Sequence, residues 1–365
     1  MNTTSEKPAL SPLFQDNDIN GLKNEIDKTV SSKTALKHFF LDLFQFSASN
    51  HRTYTAPDDN SAHPLRTFNS LKNLAALRLE SPSRPIVEKS IEICHQFERS
   101  GDRPVKPELK EEELQQPLFT QDFLWALTEG ETEKARHEAA KIVVVSDNPS
   151  AVMEMVMEVT AHHMDELGAF VYGVYRSAVF CGGKKLEPFL DLVLTEVTKR
   201  TRPMEVSDSL QYDSLHPFLD DVLRNGDDRI VSLFSTALRL WDMDSVRQSG
   251  YRKGLKVWAD RKFKPKSFTE DNGVSWKGSP ADSVVTAIEG NNLSQLAHIL
   301  LRVRSADDWS WATDLAEKWI ESFETEESDF LMLDSLQSFT RVVPEQFMPL
   351  LAVRLLKVNE TISDR

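Results

Sequence analysis

Apolar residues recur at helical spacing from one end of this chain to the other, and that property restricts the fold more than any other. Val152, Val156, Val159, His163 and Leu167 fall on one stripe, as do Leu65, Phe68, Leu71, Leu74 and Leu77. Leu36, Phe39, Phe40, Leu43 and Phe44 make a broad, unusually aromatic face. The one β-branched run of note, Ile142-Val143-Val144-Val145, lies where Ala135, Ala139, Ala140 and Val143 also repeat at helical spacing, so it reads as helix. Glycine is scarce, 13 in 365 residues, which leaves few tight hairpin turns. The expected fold is all-α, an irregular array of helical hairpins with internal duplication.

Four short stretches carry the duplication: Leu13-Phe14-Gln15-Asp16-Asn17-Asp18, Ala126-Leu127-Thr128-Glu129-Gly130-Glu131, Val222-Leu223-Arg224-Asn225-Gly226-Asp227 and Ala287-Ile288-Glu289-Gly290-Asn291-Asn292. Each places an apolar pair, then acid, Asn or Gly, then a residue suited to starting a helix. Any helix-turn-helix needs part of this chemistry. The spacing between the four is too uneven for a regular solenoid. Gly101, Pro104, Pro107 and the charged run Glu108–Glu113 read as a linker or a solvated helix, giving three helical units at 1–105, 117–205 and 206–365.

A formal net charge of −14 disfavours nucleic acid and anionic membrane surfaces as partners, since the long-range field repels both. Cys94 and Cys181 are too few for a disulfide framework. The start Met1-Asn2-Thr3-Thr4 lacks the basic and apolar regions of a signal peptide, and no apolar run reaches membrane-spanning length, so a cytoplasmic protein is expected. Glycine-rich phosphate loops and the Gly-x-Ser-x-Gly elbow are missing. Glu92-Ile93-Cys94-His95 is a single Glu-x-x-His, where a di-iron bundle needs two.

Two groups of residues are candidates for chemistry. Aligning the first and central units sets His51 close to His162-His163, each at the end of a hairpin's second helix. Helices packed about a pseudo-twofold could turn His51, His63 and His163 into one cavity as catalytic groups. A buried imidazole needs a partner, here a transition metal, a ligand oxygen, or Asp58, Asp165 or Glu166, with His162, Asp165 and Glu166 as ligand-binding neighbours. The commoner fate of such histidines is a separate hydrogen bond for each. The second group is the basic run 252–266, in which Lys256, Arg261 and Lys264 are expected to share a surface patch near the Ser267–Pro280 loop and hold an anionic ligand or partner. A solvated helix is the plainer reading of that run. Trp309 and Trp311 cannot share a helical face, so one of them should be exposed or at an interface.

The acidic hairpin, the histidine-ended helix and the His-Pro-initiated stretch Ala62-His63-Pro64-Leu65-Arg66-Thr67-Phe68-Asn69-Ser70-Leu71 together resemble helical repeats of questin-oxidase-like proteins and of helical regions that accompany Rieske proteins. The resemblance covers roughly residues 13–100 and, more loosely, 126–200. The Cys-x-His pairs that ligate a Rieske cluster are missing. An α-helical fold and an oxidative role for the histidines are what the resemblance implies. Since no complete catalytic set is present, the leading expectation is a binding or scaffold protein whose groove between stacked helix pairs takes a protein partner or a small-molecule ligand. The alternative is a cytoplasmic, histidine- and metal-dependent oxidoreductase acting on a small organic substrate.

Overall fold

The computed structural model describes residues 10–51, 63–100, 107–114, 117–146, 148–182, 186–200, 213–266 and 283–365. Within them the turn stretches show how the chain folds back on itself. Asn17, Gly130 and Asn291 take positive φ of 58°, 74° and 43°. The next amide then donates to the carbonyl five residues back: Asp18 to Leu13 at 3.0 Å, Glu131 to Ala126 at 2.9 Å and Asn292 to Ala287 at 3.3 Å. With the shorter bonds Asn17 to Phe14, Gly130 to Leu127 and Asn291 to Ile288, these are Schellman closures that satisfy the last carbonyls of a helix. Asp307, at φ 52°, closes a fourth in Val303–Asp308 that the sequence reading passes over. Val222–Asp227 differs. Gly226 sits at φ −65°, and the turn relies on the Asp227 carboxylate accepting the Ile230 amide at 2.8 Å. The four alike-looking stretches therefore contain two turn mechanisms.

Gly130 is needed twice over, because a Cβ there would meet the Thr198 carbonyl oxygen at 2.9 Å in addition to the φ penalty. Gly130→Val should lower unfolding stability by about 2 kcal/mol in urea titration. Asn291→Gly, at the equivalent turn position, should leave it unchanged or slightly raised.

The longer helices are α1 (Lys33–Asn50), α2 (Pro64–Ala76), α3 (Arg84–Gln96), α4 (Thr120–Thr128), α5 (Thr132–Val145), α6 (Ala151–Thr160), α7 (Ala169–Phe180), α8 (Glu187–Arg200), α9 (Asp228–Trp241), α10 (Gln248–Lys262), α11 (Leu293–Ser305), α12 (Ser310–Ser322), α13 (Glu327–Val342) and α14 (Met348–Ser363). Among the described residues there is no strand, only an isolated antiparallel bridge between His51 and Arg99. The Ile142–Val145 run ends α5, as its spacing predicts. One hydrophobic cluster extends from Leu10 to Ile362. Helix pairs join the three sequence units to one another: α1 packs on α8, α2 on α7 and α13, and α3 on α12.

The stripe from Val152 to Leu167 is buried as expected, His163 included, but it is not one α-helix. After α6 the chain tightens to 3-10 winding at Ala161–His163 and widens to π winding at Met164–Gly168 before α7. Arginines from other helices take carbonyls of this irregular segment, Arg261 that of His162 at 3.2 Å and Arg229 that of Asp165 at 3.1 Å. Tertiary partners thus replace part of the ladder that regular winding would supply.

Candidate functional site

Four helices drawn from distant parts of the chain close a ring: α2 packs on α7 and α13, and α9 packs on α7 and α13. They point the same way. Thr67 bonds Glu327 while Ser70 and Asn73 bond Asp334. Asn69 reaches both the Gly173 carbonyl and the Ser177 hydroxyl, each at 2.6 Å. Arg66 bonds Ser232 at 2.9 Å, and one turn further along α2 Ser70 shares the Asp334 carboxylate with Arg239. Parallel neighbours of this kind arise when hairpins stack with the same member of each pair facing inward. Close approach of α2 to α7 depends on Gly173, where a Cβ would stand 3.3 Å from the Arg66 Cα.

Between the four helices lies a cavity of about 730 Å³. At the level of the helix N-termini its lining residues Arg66, Ala169, Ser232 and Leu331 are buried, and at the C-terminal level Ala76, Arg176 and Arg341 are exposed. It therefore has a floor and a mouth. Four arginines line it, Arg66, Arg176, Arg239 and Arg341, against two aspartates, Asp244 and Asp334, in a chain of net charge −14. The remaining lining is rich in hydroxyls and amides: Asn69, Ser70, Asn73, Tyr172, Thr236, Ser335, Gln337 and Ser338.

Asp334 organises the wall. Its carboxylate accepts Arg239 through both terminal nitrogens, at 2.8 and 3.0 Å, together with Ser70 at 3.0 Å and Asn73 at 3.2 Å. Arg239 also donates to the Asp334 carbonyl and, through Nε, to Ser338. Burial opposes the charge of Arg239, but the Asp334 charge and hydrogen bonds outweigh it and leave the guanidinium pKa raised.

Arg176 and Arg341 form no ion pair among the described residues. Arg341 instead lies 4.5 Å over the ring of Trp309, the half-buried member of the tryptophan pair, which places that ring beside the mouth. Trp311 is buried, as the alternation predicts. Burial pushes the Tyr172 phenol above its usual range despite the nearby charges of Arg239 and Arg176, so it stands as a neutral donor. Gln337 is 5% exposed, and its amide nitrogen meets no acceptor among the described residues. Behind Asn69 sits Lys72, whose ammonium donates to Asn69 at 3.2 Å and lies over Phe44 and Phe180; burial and the charge of Arg176 bring its pKa down to about 8. Arg239 and Arg341 also occupy the last turns of α9 and α13, where a cation complements the helix dipole. That effect, typically about 1 kcal/mol each, does not account for Arg176 or for the hydroxyl-rich walls.

Arg66, Asn69 and Ser70 of the His-Pro-initiated stretch line this cavity, but none of the candidate histidines, acids and cations among the described residues does. His51 and His63 are buried neighbours with ring centroids 6.5 Å apart, and His162 and His163 form a second buried pair at 6.5 Å. His51 Nδ1 meets Ser47 Oγ at 3.1 Å, and His63 Nδ1 accepts the Leu65 amide at 3.2 Å as the cap of α2. The separate hydrogen bonds expected of such histidines describe these two. Among the described residues no three His, Cys, Asp or Glu side chains are grouped to hold a metal. Asp165 pairs with Lys262 at 3.5 Å, and Glu166 stands beside it in the π segment. In the basic run, Lys256 lies over Trp241, Arg261 bonds the His162 carbonyl and the Lys264 amide donates to Asp221. Much of that run clamps α10 to its neighbours. The Ser267–Pro280 loop and Asp58 lie outside the described residues.

Arg66, Asn69, Ser70 and Asn73 on α2, and Asp334, Ser338 and Arg341 on α13, do repeat at helical spacing. Such a polar stripe is what an exposed helix face also shows, so spacing alone does not separate a solvated face from a cavity wall. Two polar stripes facing one another across a cavity are visible only once α2 and α13 are packed. No organic grouping of known proteins supplies a shortcut: comparison with protein-family models, with curated proteins and with solved structures finds no match to this chain.

Proposed function

We propose that this protein is a binding protein whose inter-helix groove takes a small anionic organic molecule. The observation that carries the reading is the 730 Å³ cavity with four arginines in its lining, inside a strongly acidic chain. A cation-rich cavity in a negative molecule focuses field on one entrance, drawing anions there while the outer surface repels them. Its volume lies in the range of small-molecule sites. The oxidative alternative gains no comparable support, because His51, His63, His162 and His163 stand apart from the cavity lining.

Thermal unfolding of the purified protein in the presence of a panel of organic anions, each paired with a neutral analogue, tests the reading. A ligand present at a hundred times its dissociation constant adds about 2.7 kcal/mol to stability and raises the midpoint accordingly. The shift should shrink between 50 and 500 mM salt. If neutral analogues stabilise the protein as well as the anions do, or no anion stabilises it, the reading fails.

A further inference from the structure

The mouth and the walls of the cavity narrow the class of anion. Arg176 from α7 and Arg341 from α13 reach the opening from different helices, and neither is bound in an ion pair among the described residues, although the Asp307 carboxylate acts on Arg341 from nearby. Both line the same cavity, with Arg239 between them: Arg176 and Arg239 act on Tyr172 and Lys72, and Arg239 acts on Arg341. A carboxylate offers two oxygens in one plane and is filled by one guanidinium fork. A phosphate dianion offers three terminal oxygens in diverging directions and suits forks arriving from several sides. Below the mouth, Ser70, Asn73, Thr236 and Ser335 keep lone pairs beyond their internal bonds, and the buried Gln337 amide nitrogen has a hydrogen to give and no acceptor to receive it. Buried donors in this state call for an acceptor. Among the described residues Tyr172 is the one aromatic side chain in the lining, so no pair of rings there is placed to sandwich a base.

Resting on the anion-binding reading, we infer that the ligand is a phosphate monoester of a hydroxylated carbon skeleton, with the phosphate held at the mouth by Arg176 and Arg341 and the hydroxyls directed to the Gln337 layer. A soluble sugar phosphate and the head group of a phosphorylated lipid share this chemistry. The molecule's negative charge works against approach to an anionic bilayer, which favours the soluble form.

Isothermal titration with glucose 6-phosphate and ribose 5-phosphate is the test, beside glucose, inorganic phosphate and citrate, with flotation on phosphatidylcholine vesicles containing phosphatidylinositol 4-phosphate as the lipid arm. At least one sugar phosphate should bind at least tenfold more tightly than glucose, phosphate or citrate. Arg176→Gln and Arg341→Gln should each weaken it by about tenfold, and Gln337→Leu by about five- to tenfold. Arg176 and Arg341 are exposed, so both variants should keep the wild-type helical circular dichroism, with Arg341→Gln melting slightly lower through its lost Trp309 and helix-end contacts; the tenfold loss in a protein still folded is then one of binding. Citrate binding as tightly as the sugar phosphates overturns the phosphate inference while sparing the anion reading. Capture by vesicles without binding of either sugar phosphate overturns the soluble form. Sugar-phosphate affinity unmoved by both arginine variants overturns the site, and silence toward every anion removes the inference together with the reading beneath it.

Discussion

Replacing Asp334 with alanine is expected to cost about 3–5 kcal/mol of stability, the largest single effect in this molecule outside its apolar core. The side chain is 6% exposed, and Arg239, which it binds through two nitrogens, is 23% exposed. Removing the carboxylate strands a desolvated guanidinium and at the same time deprives Ser70 and Asn73 of their acceptor. The cost lies in what is left unpaired rather than in the pair itself. The double variant Asp334→Leu with Arg239→Met should therefore be less destabilised than Asp334→Ala alone, since no buried charge remains. Ser70→Ala removes one donor and should cost about 1 kcal/mol. Urea unfolding of the four proteins checks the order. A double variant at least as destabilised as Asp334→Ala would show that packing, not the stranded charge, dominates.

Acidification should remove roughly 2–3 kcal/mol between pH 7 and pH 4.5 through His51. This imidazole is fully buried against Phe46, Phe97 and His63, and its Nε2 has no hydrogen-bond partner among the described residues. Burial first, then the charge of Arg99 and a lesser push from His95, bring its pKa down to about 4, against a small opposing contribution from the Cys94 backbone. His95 is lowered in the same direction, and the neighbouring Cys94 thiol, pushed up to about 12 by burial, stays neutral throughout. The unfolded chain binds a proton at His51 near pH 6.5, and the folded chain takes it up only near pH 4. In that window the unfolded state therefore holds more protons, and stability rises with pH. The contribution is complete above about pH 6.5 and is lost as pH falls toward 4. Stability measured by urea unfolding at pH 7.5, 5.5 and 4.5 should fall more steeply in the wild type than in His51→Leu. Parallel pH profiles for the two proteins would contradict a neutral, desolvated His51.

Helical periodicity at Val152–Leu167, at Leu65–Leu77 and along the aromatic face of α1 was legible because burial of one face is a local property, repeated every 3.6 residues wherever a helix meets a core. The turn stretches around Asn17, Gly130 and Asn291 were legible for the same reason, since turn chemistry acts within six residues, although which residue takes positive φ is seen in the structure. The sequence by itself thus determined the all-α class, the inward faces of its helices and most of its hairpin closures. Winding at His162–Gly168 was not legible, because Arg229 and Arg261 act on it from α9 and α10. Nor was the cavity. Arg66, Arg176, Arg239 and Arg341 lie on four helices up to 275 residues apart in the chain, Arg66 to Arg341, and each stripe taken alone reads as a solvated face. Charges interact through space as the inverse of their distance, whatever their separation along the chain. Only the packing of α2, α7, α9 and α13 brought those arginines to one cavity, and only that packing decided that the buried histidines would lie elsewhere.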